Sequence, residues 1–263
     1  MANRYLGRED APIAAETWEF LDSIVIQVAK SLLTGRRLLH VEGPYGLGLK
    51  AVALTDAAVE AGLITSSSIP LTFIHRTFTL SKRDLAAYER DKLLLGTKEL
   101  VNATIECARA EDTLIFQGVQ AAPGLLTVGG LNTLELAQWT EVGSAVDNII
   151  RAMTVLDDAG FHGPYSLALA PNRYNLLFRR YPTGETTELE HIKMIATEGV
   201  FKAPTIEAGG VLLAFGPQFA SIILGQDMSI GFIGPVGERL EFSISESLAL
   251  LINAPRSICV LKG

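Results

Sequence analysis

From Glu16 to Thr34 the chain is apolar around most of a helical circumference. At 100° per residue, Trp18, Leu21, Val25, Val28 and Leu32 form one stripe, Ile26, Ala29 and Leu33 flank it, and Phe20 and Ile24 lie on its other shoulder. Glu16, Glu19, Ser23, Gln27, Lys30 and Thr34 fill the remaining strip. The apolar arc is therefore roughly 240°, where a surface helix facing a single core shows an arc of about 100° or more. Two surfaces must cover such a helix. One is the chain's own core; the second is either more of a large domain or a partner or bound peptide. Gly35 follows the last periodic residue, the usual place for a left-handed C-cap. After Arg36-Arg37, Leu38, Leu39 and Val41 make a brief strand that Gly43-Pro44 interrupts.

Leu49 to Leu80 reads as a long hairpin, with Lys50–Leu54 as one arm, Glu60–Ser68 as a polar tip and Ile69–Leu80 as the returning strand. A two-stranded ribbon is marginal in water unless it packs on something, so an arm reaching a neighbouring subunit is expected. Ser81 with Asp84 resembles a capping box that opens a helix to Leu95, and Thr97 caps a longer helix to Phe116. Gly118–Gly130 is turn-rich. Helices follow over Val142–Asp158, Pro171–Tyr181 and Thr187–Glu198, with strands at Tyr165–Ala170 and Val200–Ile206. The end is strand-rich, through Val211–Phe215, Ala220–Leu224, Met228–Ile233, Leu240–Ser245, Leu248–Ile252 and Ile258–Leu261. The pattern as a whole is α+β.

Composition narrows the partners. Charged residues make up 19% of the 263 positions, below the usual share of about 25%, which points to large contacts between copies. A formal net charge of −7 argues against nucleic acid as a partner, because coating phosphates takes clustered Lys and Arg. Cys107 and Cys259 are far apart and outside any metal-ligand spacing, so they read as small core hydrophobes. Met1–Arg8 lacks a secretory core and no run approaches the roughly 18 apolar residues that span a bilayer. A cytoplasmic protein with no membrane contact is expected.

Chemistry is sparse. Gly43 to Lys50 lacks the contiguous Gly-Lys-Ser/Thr of a phosphate loop and reads as a turn. Glu188-x-x-His191 has the spacing of one half of a di-iron site, but no second such pair exists, which leaves a solvated helix face. Ser229 lacks the preceding glycine of a nucleophile elbow. No catalytic residue and no metal site can be nominated.

Several segments occur in a telling order: Arg8-Glu9-Asp10-Ala11-Pro12-Ile13, Trp18, Gly35-Arg36-Arg37, Gly43-Pro44-Tyr45-Gly46, Ile74–Leu80, Glu111-Asp112 with Ile115-Phe116 and Gly118, Gly163-Pro164-Tyr165, and Leu224–Gly231. Together they resemble the encapsulins, bacterial and archaeal shell proteins, over essentially the whole chain. Glu188–Ile192 and Ile258–Leu261 look most like the encapsulins that house iron-storing cargo.

The resemblance implies a tailed-phage major-capsid-like fold with a peripheral domain, an axial domain and an extended loop. Residues 1–48 would hold a lumenal helix and the start of the peripheral domain, 49–76 the extended loop, 77–141 the peripheral domain with Thr97–Phe116 as its spine helix, 142–208 the axial domain, and 209–263 the β-rich return. Many copies would close into an icosahedral nanocompartment. A cargo protein would enter by a C-terminal targeting peptide docked in a groove of Val28, Leu32, Arg36, Leu38, His40, Met228 and Ile230. His40 stands where many members have Asp. The turn at the five-fold vertex would line a pore with Arg179, Arg180, Tyr181, Thr183, Glu185 and Glu188. The resemblance implies ferritin-like iron-storage and oxidative-stress cargo first and dye-decolorising peroxidase second. A flavin site in parts of the family uses an aromatic near position 83; Arg83 and Asp84 stand here, so no cofactor is expected. A prophage capsid protein would share the fold, but the acidic balance and the helical N-terminus count against it. A secreted bacteriocin or protease conflicts with the missing leader and nucleophile set.

Overall fold

The computed structural model describes residues 4–120, 122–182 and 184–263, and the side chains of all of these but Ala57 and Ala58. Two 3-10 turns lead into α1 (Ala15–Leu32), α2 (Gly35–Leu38) and β1 (His40–Glu42). A ribbon follows, β2 (Ala51–Glu60) and β3 (Leu63–Pro70), then β4 (Thr72–Ser81), α3 (Lys82–Asp91) and α4 (Lys98–Gln117). The middle contains β5 (Gly118–Val119), β6 (Ala122–Pro123), β7 (Asn132–Glu135), α5 (Ser144–Asp158), β8 (Tyr165–Leu169), α6 (Pro171–Leu176), α7 (Glu188–Ile195) and β9 (Gly199–Lys202). The end is β10 (Gly210–Ala214), β11 (Ala220–Val236), β12 (Arg239–Ile252) and β13 (Ile258–Lys262). No helix among the described residues is long and apolar enough to cross a membrane.

A four-stranded sheet in the order β1-β11-β12-β4 carries α4 across its face, and α1 packs on α4 from outside. Phe242 on β12 is the hub, with Trp18 edge-on at 5.7 Å, Phe78 stacked at 5.3 Å and Phe232 edge-on at 5.6 Å. Such aromatic pairs add about 0.5–1.5 kcal/mol each beyond the area they bury. The five-stranded sheet, β7-β13-β10-β8-β9, is a partition between two cores. Val211 and Leu213 of β10 and Ile258 and Val260 of β13 face the first core; Leu212, Ala214, Cys259 and Leu261 face the second, where α5 and α7 lie. Burial on both faces is why these strands read as unbroken apolar runs with no polar alternation.

Several sequence expectations shift for identifiable reasons. Gly35 is no left-handed cap: it begins α2, and a Cβ there would overlap Ile115 Cδ1, so its role is close approach to α4. Leu38 belongs to α2, and the strand starts at His40. The hairpin turns at Ala61-Gly62, and the serine-rich stretch expected at the tip is strand β3, exposed along nearly its whole length. β4 is a separate strand paired with β12. Ser81 caps α3 through the Asp84 N–H, but the helix stops at Lys92, which adopts a left-handed conformation. Ala220–Leu224 and Met228–Ile233 are one strand whose register slips around Gln226, a bulge that re-aims Asp227. β7 was not expected at all; it is a short strand running parallel to β13 at the sheet edge.

Buried carboxylates tie the elements around α2. Asp112 on α4 accepts the Thr34 N–H at 3.0 Å and the Gly35 N–H at 2.8 Å, satisfying donors at the start of α2. Arg36 gives Nε and Nη2 to the two Glu111 oxygens at 2.7 and 2.8 Å, Nη2 again to Glu246 at 2.9 Å, and Nη1 to Asp227 at 2.6 Å. One guanidinium thus joins α2, α4, β11 and β12. Burial alone would lower the Arg36 pKa, yet the bonds to Glu111 and Asp227 raise it. Burial and then the neighbouring Glu111 push Glu246 well above the usual carboxylate range, and its Oε1 has no hydrogen-bond partner. Burial lifts Asp112 to about 6 against the opposing backbone N–H bonds.

Removing the Asp112 cap leaves two buried donors unpaired, so Asp112→Ala should cost about 2 kcal/mol in urea unfolding. A carboxyl whose native pKa exceeds its unfolded value holds its proton more tightly when folded. Its contribution is full below the unfolded value, falls as pH rises through the interval, and is flat above the folded value. Asp112, rising from 3.8 to about 6, and Glu246, raised above 4.5, therefore both make the fold lose stability as pH climbs out of the acid range. Glu246→Gln should flatten part of that slope in unfolding series between about pH 4 and pH 8.

Candidate functional site

Helix α1 turns Trp18, Leu21 and Val25 inward to the first core and leaves its other apolar flank only partly covered. Ile26 is 51% exposed, and Val28 and Leu32 are half-buried. Beside this flank lies a cavity of about 480 Å³, within the range of about 300–1,000 Å³ that ligand sites occupy. Its floor is Val25, Ile26, Ala29 and Leu33 from α1 and the loop after it, faced by Met228 of β11. Its charged wall is Lys30, Arg36, Arg37 and Asp227. The groove has this width because the Arg36 ion cluster fixes β11 against α2, while the bulge around Gln226 brings Asp227 and Met228 toward the helix.

Of the residues the sequence nominated for a groove, Arg36 and Met228 lie on the wall of this cavity. Val28 and Leu32 lie on the neighbouring stripe of α1, half-buried and outside the lining. Leu38 and Ile230 are wholly buried in the first core and cannot touch a docked chain, because α2 turns Leu38 inward and the alternation of β11 does the same for Ile230. His40 sits half-buried in β1 opposite Ser221. Sequence reasoning missed Ile26, Ala29 and Leu33 as the floor, although their i, i+3, i+7 spacing had set them apart as a second stripe. Lys30, Arg37 and Asp227 carried no periodic signal.

The turn after α6 is built differently from the expectation. Glu188 is fully buried: its Oε1 accepts the Gly143 N–H at 2.8 Å and the Ala145 N–H at 3.3 Å, and its Oε2 accepts Arg179 Nη2 at 2.8 Å. Arg179 also gives Nη1 to the Trp139 carbonyl at 2.7 Å. The pair pins the start of α5 to α7, with Glu188 enclosed inside the subunit and Arg179 partly exposed. The solvated helix face expected at Glu188 and His191 is thus a buried ion pair followed by a histidine 3.0 Å from the Tyr181 hydroxyl. Arg180 and Glu185 are exposed and Tyr181 half-buried; Thr183 lies outside the described residues. α6 ends at Leu176, short of the Tyr181 expected, and an isolated bridge joins Arg180 to Thr187.

The glycine-rich stretch after β1 is held by backbone bonds, Tyr45 N–H to the Leu224 carbonyl at 3.0 Å and Gly46 N–H to the Gly225 carbonyl at 2.5 Å. Both cysteines are buried and free; burial pushes Cys107 up to about 12 and Cys259 up to about 11. Among the described residues no three His, Cys, Asp or Glu side chains gather as metal ligands.

Comparison with known proteins places this geometry. Residues 3–249 match the family model described as encapsulating protein for peroxidase. The type 1 encapsulin shell protein EncA of Myxococcus xanthus is 31% identical over 98% of this chain and 96% of its own length. A diheme-cytochrome-encapsulin shell fusion protein of Kuenenia stuttgartiensis is 25% identical over 95% of this chain and 74% of its own length. Among solved structures, the virus-like particle from Pyrococcus furiosus superposes with a TM-score of 0.77 at 20% identity, covering 94% of this chain and all of that one. The capsid of Myoviridae phage XM1 gives a TM-score of 0.60 at 16% identity over 88% of this chain and 92% of its own, which extends the likeness of fold to phage capsids. On the family match and the whole-length identity to EncA, this chain belongs to the encapsulin family of nanocompartment shell proteins.

Proposed function

We propose that copies of this chain close into an icosahedral shell in the cytoplasm and load a cargo protein by seating its C-terminal targeting peptide in the groove beside α1. One observation carries the docking reading: a cavity beside α1 is lined by the exposed Ile26 and by Ala29 and Leu33, which rest on Ala108 of α4, with Met228 opposite. Catalysis in this reading belongs to the cargo. The ribbon of β2 and β3 serves as the extended loop: it pairs only with itself among the described strands and carries Val59, Leu63 and Ile64 exposed, apolar surface suited to a neighbouring copy. α4 serves as the spine helix and the second core as the axial domain. Arg180, Tyr181 and Glu185 then face the opening at the vertex.

A ferritin-like iron oxidase is the first cargo to test, since the segments at Glu188–Ile192 and Ile258–Leu261 resemble those of shells with iron-storing cargo. A peroxidase is the second, favoured by the description of the matched family. Co-expression of the chain with each candidate, followed by protein quantification in purified shells, separates the two.

Ile26→Asp with Met228→Asp should leave empty shells intact by negative-stain microscopy while cutting co-purified cargo about tenfold or more, the consequence of losing two apolar anchors. Ile64→Asp should act oppositely: a folded chain by circular dichroism that sediments as small species, because a charge on the ribbon tip must be desolvated at each contact between copies.

A further inference from the structure

The charges around the groove specify more about its occupant than the apolar floor does. Arg36 is committed to Glu111, Glu246 and Asp227, and Asp227 Oδ1 also accepts the Met228 N–H at 2.8 Å. Lys30 and Arg37 have no carboxylate partner among the described residues. Arg37 gives Nε to the Leu33 carbonyl at 3.0 Å and lies 5.5 Å from the Phe201 ring, with its remaining N–H groups free of carboxylates. An apolar floor is therefore rimmed by two uncompensated cations.

The length of the floor limits what fits. Val25 to Leu33 is about 12 Å of helix, which matches about four residues of extended chain. In an extended segment alternate side chains point the same way, so two anchor on the floor and those between them face the rim. Lys30 stands beside Ala29, near the middle of the floor, so a carboxylate meeting it comes from inside the segment and not from the chain's terminal carboxylate. We infer that the docked segment is a short, extended, apolar stretch of another protein carrying an acidic side chain, Asp or Glu, between its two anchors. This rests on the docking reading above. A basic residue at that place would meet Lys30 and Arg37, two cations against Asp227, the one carboxylate in the lining, which itself takes one of the bonds of Arg36.

The test uses a fluorescent reporter co-expressed with the full chain and ending in a six-residue tail with leucines at two alternate positions. Three tails differ only in Glu, Gln or Lys between the leucines, and the readout is reporter fluorescence per purified shell. The Glu tail should load about threefold better than the Gln tail, as one exposed ion pair allows, and the Lys tail worst. Lys30→Glu, at an exposed position without a partner, should reverse the order of the Glu and Lys tails. Equal loading of the Glu and Gln tails, or preference for Lys, together with loss of loading in Ile26→Asp, overturns the acidic assignment and keeps the groove. Failure of every tail to load, or loading that Ile26→Asp leaves unchanged, overturns both.

Discussion

Arg36 holds four elements together, and the groove exists because it does. Its guanidinium meets Glu111 on α4, Glu246 on β12 and Asp227 on β11 while its own backbone sits in α2. Two of those carboxylates, Glu111 and Glu246, are fully buried beside this one cation, and Glu246, pushed well above the usual carboxylate range by burial and by Glu111, holds its proton more tightly than it would in water. Ion clusters of this kind add little net stability compared with apolar packing of the same volume, but they fix geometry, since removing one member strands the others. Here the fixed quantity is the distance between the flank of α1 and the bulge of β11. The Asp112 bonds to Thr34 and Gly35 set the angle of the same corner from the other side.

The rest of the fold divides its apolar surface between burial within the chain and surface left for other copies. The five-stranded sheet buries both faces and joins the two cores into one body. The β2-β3 ribbon, by contrast, buries almost nothing of itself. A shell subunit needs both kinds of element: a body that holds its shape alone, and segments whose apolar residues find cover only in the closed particle. Low charge content fits that economy, as charged groups at contacts between copies would have to shed water.

Legibility in the sequence followed burial. α4 was readable to within a residue or two because its stripe of Leu100, Ala103, Cys107 and Leu114 faces one core throughout. The strands from β10 onward were readable as apolar runs, though β11 and β12 were each read as two: the bulge within β11 leaves no compositional mark, and Glu246-Ser247 reads as a polar break where β12 runs on. The ribbon was found but its tip misplaced, because both of its faces meet solvent and Thr65 to Ser68 carry no inward-facing pattern. At the site, the surplus stripe of α1 was visible, whereas the assignment of Leu38 and Ile230 to the groove failed. An apolar residue beside a groove and one beneath it look alike until the backbone direction is known. The tie between Arg179 and Glu188, nine residues apart, was invisible for a related reason: it joins two elements whose mutual placement only the tertiary fold decides.

The central claim is that the cavity beside Ile26 of α1 seats a guest chain. A cryo-electron microscopy map of shells loaded with a tail-bearing reporter tests this directly. Extended density should lie along Ile26, Ala29 and Leu33, closed over by Met228, and be absent from maps of empty shells. Density for the tail elsewhere on the inner wall, or a groove already filled by a neighbouring copy in empty shells, would contradict it.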